Sequence, residues 1–143
     1  MGYIRYTFAE LYTGMKESLS HTLTCEDVGR FADVTGDRNP IHLDEGFARE
    51  SRFGKNIAHG MFGASLISAV MGTKLPGPGN VYMEQTLRFL KPIFIGDTIT
   101  ASVEIAELFP EKYRVRLFTT CANQDGVVAI DGEALLHFKV LEK

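Results

Sequence analysis

The stretch VTGDRNPIHLD, Val34 to Asp44, sets Asp37, Asn39, Pro40 and His42 within six consecutive positions. An aspartate and a histidine five residues apart, either side of a proline with a fixed φ, can be aimed at one point by a short stiff backbone. An acid and a base held at one point is what proton transfer needs. The same residues also read as a plain turn, since Gly, Asp, Asn and Pro dominate turns and Asx side chains bond their own backbone. On these residues alone both readings stand. A metal site at Asp37, His42 and Asp44 is disfavoured, because no third strong ligand comes at helical spacing and no H-E-x-x-H occurs.

AHGM, residues 58–61, offers a complementary group. If a buried helix begins here, Gly60 presents an unpaired N–H at the positive end of the helix dipole, with no side chain to obstruct an approaching oxygen. That describes an oxyanion site. The plainer alternative is that Gly60 and Gly63 only permit close contact between helix and sheet.

These residues need elements to position them. Thr24 and Asp27 form a capping-box pattern ahead of Val28, Phe31, Ala32 and Val34, which predicts an amphipathic helix ending near Gly36. Asn39-Pro40 predicts an extended or turn conformation straight after it. A short helix is expected over 44–50 and a long one over about 59–72. The segment 56–73 carries no Asp, Glu, Lys or Arg, but three glycines, two serines, a histidine and an asparagine leave it short of the ~20 apolar residues a bilayer needs. It reads as a helix buried in protein. LPGPGN, residues 75–80, is a turn.

Beyond it VYMEQTLRFLKPIF, DTITASVEIAEL, KYRVRLFTTCAN and VVAIDGEALLHFKV read as strands, and the alternation in TITASVEIAEL and YRVRLFTT predicts an antiparallel sheet with one buried face. GMKESLSHTLT supplies a further edge strand, and Phe8, Leu11 and Tyr12 are candidates to cover apolar surface. The expected fold is α+β, a curved antiparallel sheet wrapped around a long central helix.

The 143 residues suit one domain, 1–143. With 15 Lys+Arg against 18 Asp+Glu the formal charge is −3, and no basic run interleaves with aromatics, so no nucleic-acid partner is expected. Cys25 and Cys121 form no C-x-x-C pair and read as small core fillers in a reducing cytoplasm. MGYIRYTFAE lacks a basic segment followed by an apolar core, and Tyr6 stands where a myristoylation signal needs Ser or Thr. Neither export, a lipid anchor nor a membrane span is expected. His21 and His137 have no partner nameable from sequence and read as structural.

FADVTGDRNPIHLD, then AHGMFGASL, then LRFLKPIFIGDTITASVEI resemble the MaoC-like (R)-specific enoyl-CoA hydratases, whose fold is the hotdog. The similarity runs from Thr24 onward, and its G-D-x-N-P-x-H core is specific. The resemblance implies that Asp37 and His42 are the catalytic acid–base pair and that Gly60 offers its backbone N–H to the thioester oxygen. It puts Asn39 in the same motif, holding the loop or orienting the pair, and matches Ser68 to a serine near the catalytic residues of some members. It also implies an acyl-CoA substrate, an (R)-3-hydroxyacyl product and a homodimer. No metal or redox cofactor is required, since the thioester itself acidifies C2. Arg52, Lys55, Lys74, Arg88 and Lys91 are candidates either for the phosphates of coenzyme A or for an acyl carrier protein, the substrate carrier of a closely related dehydratase reading. Thioester hydrolysis and simple acyl-CoA binding are the competing classes. Met71, Leu75 and Val81 are candidate acyl-pocket residues.

Overall fold

The computed structural model describes residues 5–139. Six strands, β1 (Lys16–Thr22), β2 (Asn80–Gln85), β3 (Arg88–Phe89), β4 (Thr98–Phe109), β5 (Arg114–Ala122) and β6 (Val128–Phe138), form one antiparallel sheet. Their order is β1-β4-β5-β6-β2, with β3 also on β6. In β4 the alternation expected from sequence is strict: Ile99, Ala101, Val103 and Ile105 are buried, while Thr98, Thr100, Ser102 and Glu104 face outward. β5 repeats it with Val115, Leu117, Thr119 and Cys121 inward.

Among the described residues four α-helices accompany the sheet: α1 (Cys25–Thr35), α2 (Pro40–Leu43), α3 (Glu45–Arg49) and α4 (Gly60–Thr73). α4 lies on the sheet through a stripe of Gly63, Ala64, Ile67, Val70 and Met71, all buried. Burying an Ile or Leu side chain here stabilises by about 1.5–3 kcal/mol. The helix approaches very closely because a Cβ at Gly63 would stand 2.6 Å from Ile130 Cδ1. The Cys121 thiol donates to the Gly63 carbonyl at 3.2 Å, and burial pushes that thiol up to about 12, so it remains a protonated core filler as expected. Cys25, by contrast, is exposed. Leu11 is buried and Phe8 packs on the core, whereas Tyr12 is exposed and stands outside that cluster.

Two further expectations are corrected. The segment 81–94 is not one strand. After Gln85 the chain leaves the β6 ladder, and Thr86 passes directly over Gly132, where a Cβ would lie 1.8 Å from the Thr86 carbonyl oxygen. The Thr86 hydroxyl instead accepts from the Glu133 N–H at 3.0 Å, and pairing resumes only at Arg88–Phe89. A run of apolar residues cannot report such a break, because it depends on the neighbouring strand.

The second correction concerns Asn39-Pro40. Asn39 is extended (φ −53°, ψ 124°), as a residue before proline should be, but Pro40 then opens a full helical turn instead of a loop. Asn39 Oδ1 caps that turn by accepting from the Ile41 N–H at 3.2 Å. His42 therefore stands on a helix. Elsewhere α1 begins with the predicted capping box and ends at Gly36 in the left-handed region (φ 78°). Among the described residues no helix is long and apolar enough to cross a membrane.

Candidate active site

Three short elements meet at the start of α4. Gly36 stops α1 and turns the chain, so that Asp37 follows immediately, and its carboxylate accepts from the Asn39 N–H at 3.2 Å. α2 is held from behind by Asn56, whose side-chain amide donates to the Ile41 carbonyl at 2.9 Å and to the Asp44 carbonyl at 3.2 Å. Ala58 ties the following segment to the sheet side through the Ile93 carbonyl at 2.7 Å.

His42 is buried, and its Nδ1 lies 2.7 Å from the Ile57 carbonyl. A carbonyl can only accept, so Nδ1 carries the proton and the neutral ring keeps a lone pair on Nε2. Burial pushes the His42 pKa below the ordinary histidine value. The bond to Ile57 opposes this shift, His59 adds to it, and the Asp37 charge, the smallest of these effects, opposes it. The imidazole is thus a neutral base near neutral pH.

Gly60 is the first residue of α4, and the preceding His59 makes no side-chain capping bond. Among the described residues the Gly60 N–H forms no hydrogen bond, so it is available at the helix N-terminus. Gly60 is also where Phe89 comes close: a Cβ there would stand 2.8 Å from the ring. Gly60 and His42 line one hollow together with Arg52, Phe53, Phe89 and Lys91. In the AHGM segment and just after it, Gly63 permits the helix–sheet contact, while Gly60 presents an open N–H at the helix start.

The structure puts Asp37 beside His42, with Asn39 bonded to Asp37, and puts His42 and Gly60 on one hollow, but it sets Ser68 apart. Ser68 lies two turns along α4 and lines a neighbouring hollow with Met61, Tyr82 and Leu87. Met71 and Leu75 are sealed in the core and Val81 is exposed on β2, so none of the three reaches the His42 hollow. The five candidate cations also separate. Arg88 is paired with Asp131 (2.7 Å), Lys74 donates to the Ser18 carbonyl (2.6 Å) and Lys55 lies over the Phe94 ring (4.4 Å). Arg52 and Lys91 remain on the hollow itself.

His59 is the residue that sequence reasoning missed. It is 2% exposed, and its ring lies 3.9 Å from that of His42 and 4.8 Å from Phe31. Asp37, His42 and His59 each offer a ligand atom within 4.8 Å of the others, which supplies the third metal ligand that Asp44 does not. Yet His59 Nε2 is engaged by the Asp37 carbonyl at 2.9 Å, and its Nδ1 is buried without a partner among the described residues. A metal would have to displace the first or unseal the second. The signal in sequence was a histidine directly before the glycine that opens an uncharged helix. His21, likewise unassigned, turns out to bond Asp27 at 2.8 Å.

A curved antiparallel sheet on one buried helix, with the polar cluster at that helix's start, is the hotdog fold. The chain belongs to the MaoC-like domain family, whose model matches residues 9–120. It is 54% identical over 129 residues to a 3-hydroxybutyryl-CoA dehydratase of Methylorubrum extorquens, covering 90% of this chain and 82% of that one. To an (R)-specific enoyl-CoA hydratase of Rhodospirillum rubrum it is 45% identical, over 92% of this chain and 90% of the other. The solved (R)-hydratase from A. caviae, described as involved in PHA biosynthesis, superposes with a TM-score of 0.88 at 40% identity, covering 90% of this chain and 98% of that one.

Proposed function

We propose that this protein catalyses the reversible, (R)-specific hydration of trans-2-enoyl-CoA to (R)-3-hydroxyacyl-CoA. The observation that carries this reading is the neutral His42 lone pair beside the Asp37 carboxylate, on a hollow whose wall also bears the open Gly60 N–H. A water molecule held by Asp37 and His42 loses a proton as its oxygen bonds to C3 of the enoyl thioester. The C2–C3 π electrons move toward the thioester carbonyl, whose oxygen takes up negative charge at the Gly60 N–H. Collapse of this enolate accepts a proton at C2, returned from the acid–base pair, and the site is restored. The enolate is stabilised by the thioester, so the reaction as proposed uses no metal or redox cofactor.

The names of the relatives at 54% and 45% identity support coenzyme A as the thioester carrier and the (R) hand. Arg52 and Lys91 are the cations of the hollow that suit its phosphates. The two free cysteines accord with a cytoplasmic setting. The proposed assembly is a homodimer, supported by exposed Met61, Phe89, Leu90, Val81 and Met83 around the hollow and along edge strand β2.

Incubation with trans-2-butenoyl-CoA tests this directly. Loss of the enoyl absorbance without release of free thiol, and an (R)-3-hydroxy product, is expected. Thiol release would instead identify a thioesterase, and an unchanged thioester a binding module.

A further inference from the structure

We propose that His59 is a positioning residue, which holds the loop bearing Asp37 against the start of α4 so that the carboxylate, the His42 imidazole and the Gly60 N–H keep one geometry. The inference rests on the function proposed above. Its basis is where the hydrogen bonds of residues 36–39 go. Gly36 N–H reaches Ala32, Asp37 N–H reaches Thr35, Arg38 reaches Gly36 and Asp33, and Asn39 bonds Asp37, Ile41 and His42. All of these close within five positions along the chain. They shape the loop but tie it to nothing distant. The bond from His59 Nε2 to the Asp37 carbonyl spans 22 positions and, among the described residues, is alone in doing so.

The chemistry of the ring agrees with a structural task. Since a carbonyl accepts, Nε2 carries the proton, and Nδ1 is left with a buried lone pair that has no partner among the described residues. No nitrogen of His59 is therefore offered to a substrate. Its flat face packs on His42 at 3.9 Å with 31° between the rings, and Phe31 of α1 packs on it at 4.8 Å. One side chain thus touches α1, the acid's loop and α2, while its own backbone adjoins Gly60. A misplacement of about 1 Å in such a constellation costs roughly 10²-fold in rate.

The test compares His59→Phe, which keeps a flat ring but loses the donor, with His59→Gln, whose side-chain N–H can reach the same carbonyl. Turnover of trans-2-butenoyl-CoA and deuterium uptake over residues 34–42 are both measured on the intact protein, beside a thermal melt. For His59→Phe kcat should fall about 10²-fold with KM little changed, and uptake in the loop should quicken. His59→Gln should restore kcat to within about fivefold of the parent, the scale of one hydrogen bond, and slow the uptake again. Full kcat or unchanged uptake in His59→Phe overturns the assignment. So does a folded His59→Gln whose kcat lies about 10²-fold below the parent, a result that decides the matter by itself if the phenylalanine variant does not fold. If the parent protein does not hydrate enoyl-CoA, the functional reading fails, and the uptake comparison still decides whether His59 holds the loop.

Discussion

Asp37 and His42 differ in a way that their shared motif conceals. Asp37 is exposed and held by its own loop, whereas His42 is buried, with its Nδ1 proton committed to Ile57. Asp37→Asn keeps the acceptor for the Asn39 N–H but cannot take a proton near neutral pH. Turnover should drop by several orders of magnitude with the melting temperature almost unchanged, and His42→Ala should be comparably damaging. The double variant should be barely worse than either single one, since residues acting as a unit are not additive. Additive losses in steady-state kinetics would separate their roles. The pH profile follows from the direction of the His42 shift. The active form is the neutral base, so activity is lost as pH falls through a pKa lowered below 6.5. The acid limb of kcat/KM should lie below that value, with Asp37 and His59 the titratable groups facing the ring. A limb at or above 6.5 would contradict the burial argument.

α4 matters through its first residue more than its length. Proline is tolerated in the first turn of a helix, and His59 (φ −58°, ψ 132°) already has the conformation that a following proline requires. Gly60 has no positive φ that proline would strain. Gly60→Pro should therefore leave the fold intact, with the Phe89 ring shifting slightly to admit the added atoms. If the Gly60 N–H holds the enolate oxygen, kcat should fall by about 10²–10³ while KM moves less. A folded variant with full activity would place that contact elsewhere. The α2 turn has a comparable importance, because one helical turn after Pro40 is what sends His42 inward toward Ile57.

In the molecule as a whole, β1 and β2 are the edges of an open sheet, and β2 presents Val81 at 61% exposure and Met83 at 42%. Met61 at 56% and Phe89 at 54% extend that apolar surface to the mouth of the hollow. A second copy, paired by a two-fold axis, is the economical cover for an unpaired strand of this kind. Light scattering at micromolar concentration should give twice the chain mass of 15.9 kDa. A stable species of the single mass would exclude the dimer.

Local chemistry was legible in the sequence wherever a local rule governs it. The capping box at Thr24 and Asp27, the glycine stop at Gly36, the two-residue alternation of β4 and β5, and the uncharged helix beginning near Gly60 all follow from backbone preferences or from one buried face. The meeting of Asp37 and His42 was legible too, because they are five positions apart. What the tertiary structure decided depends on partners distant along the chain. His59 meets Asp37 across 22 positions, His42 receives its tautomer from a carbonyl 15 positions away, and Thr86 breaks a strand because Gly132 lies beneath it. Spacing along a chain constrains neighbours within a turn or two. Contacts made by packing one element on another have no period, and only the folded chain brings them together.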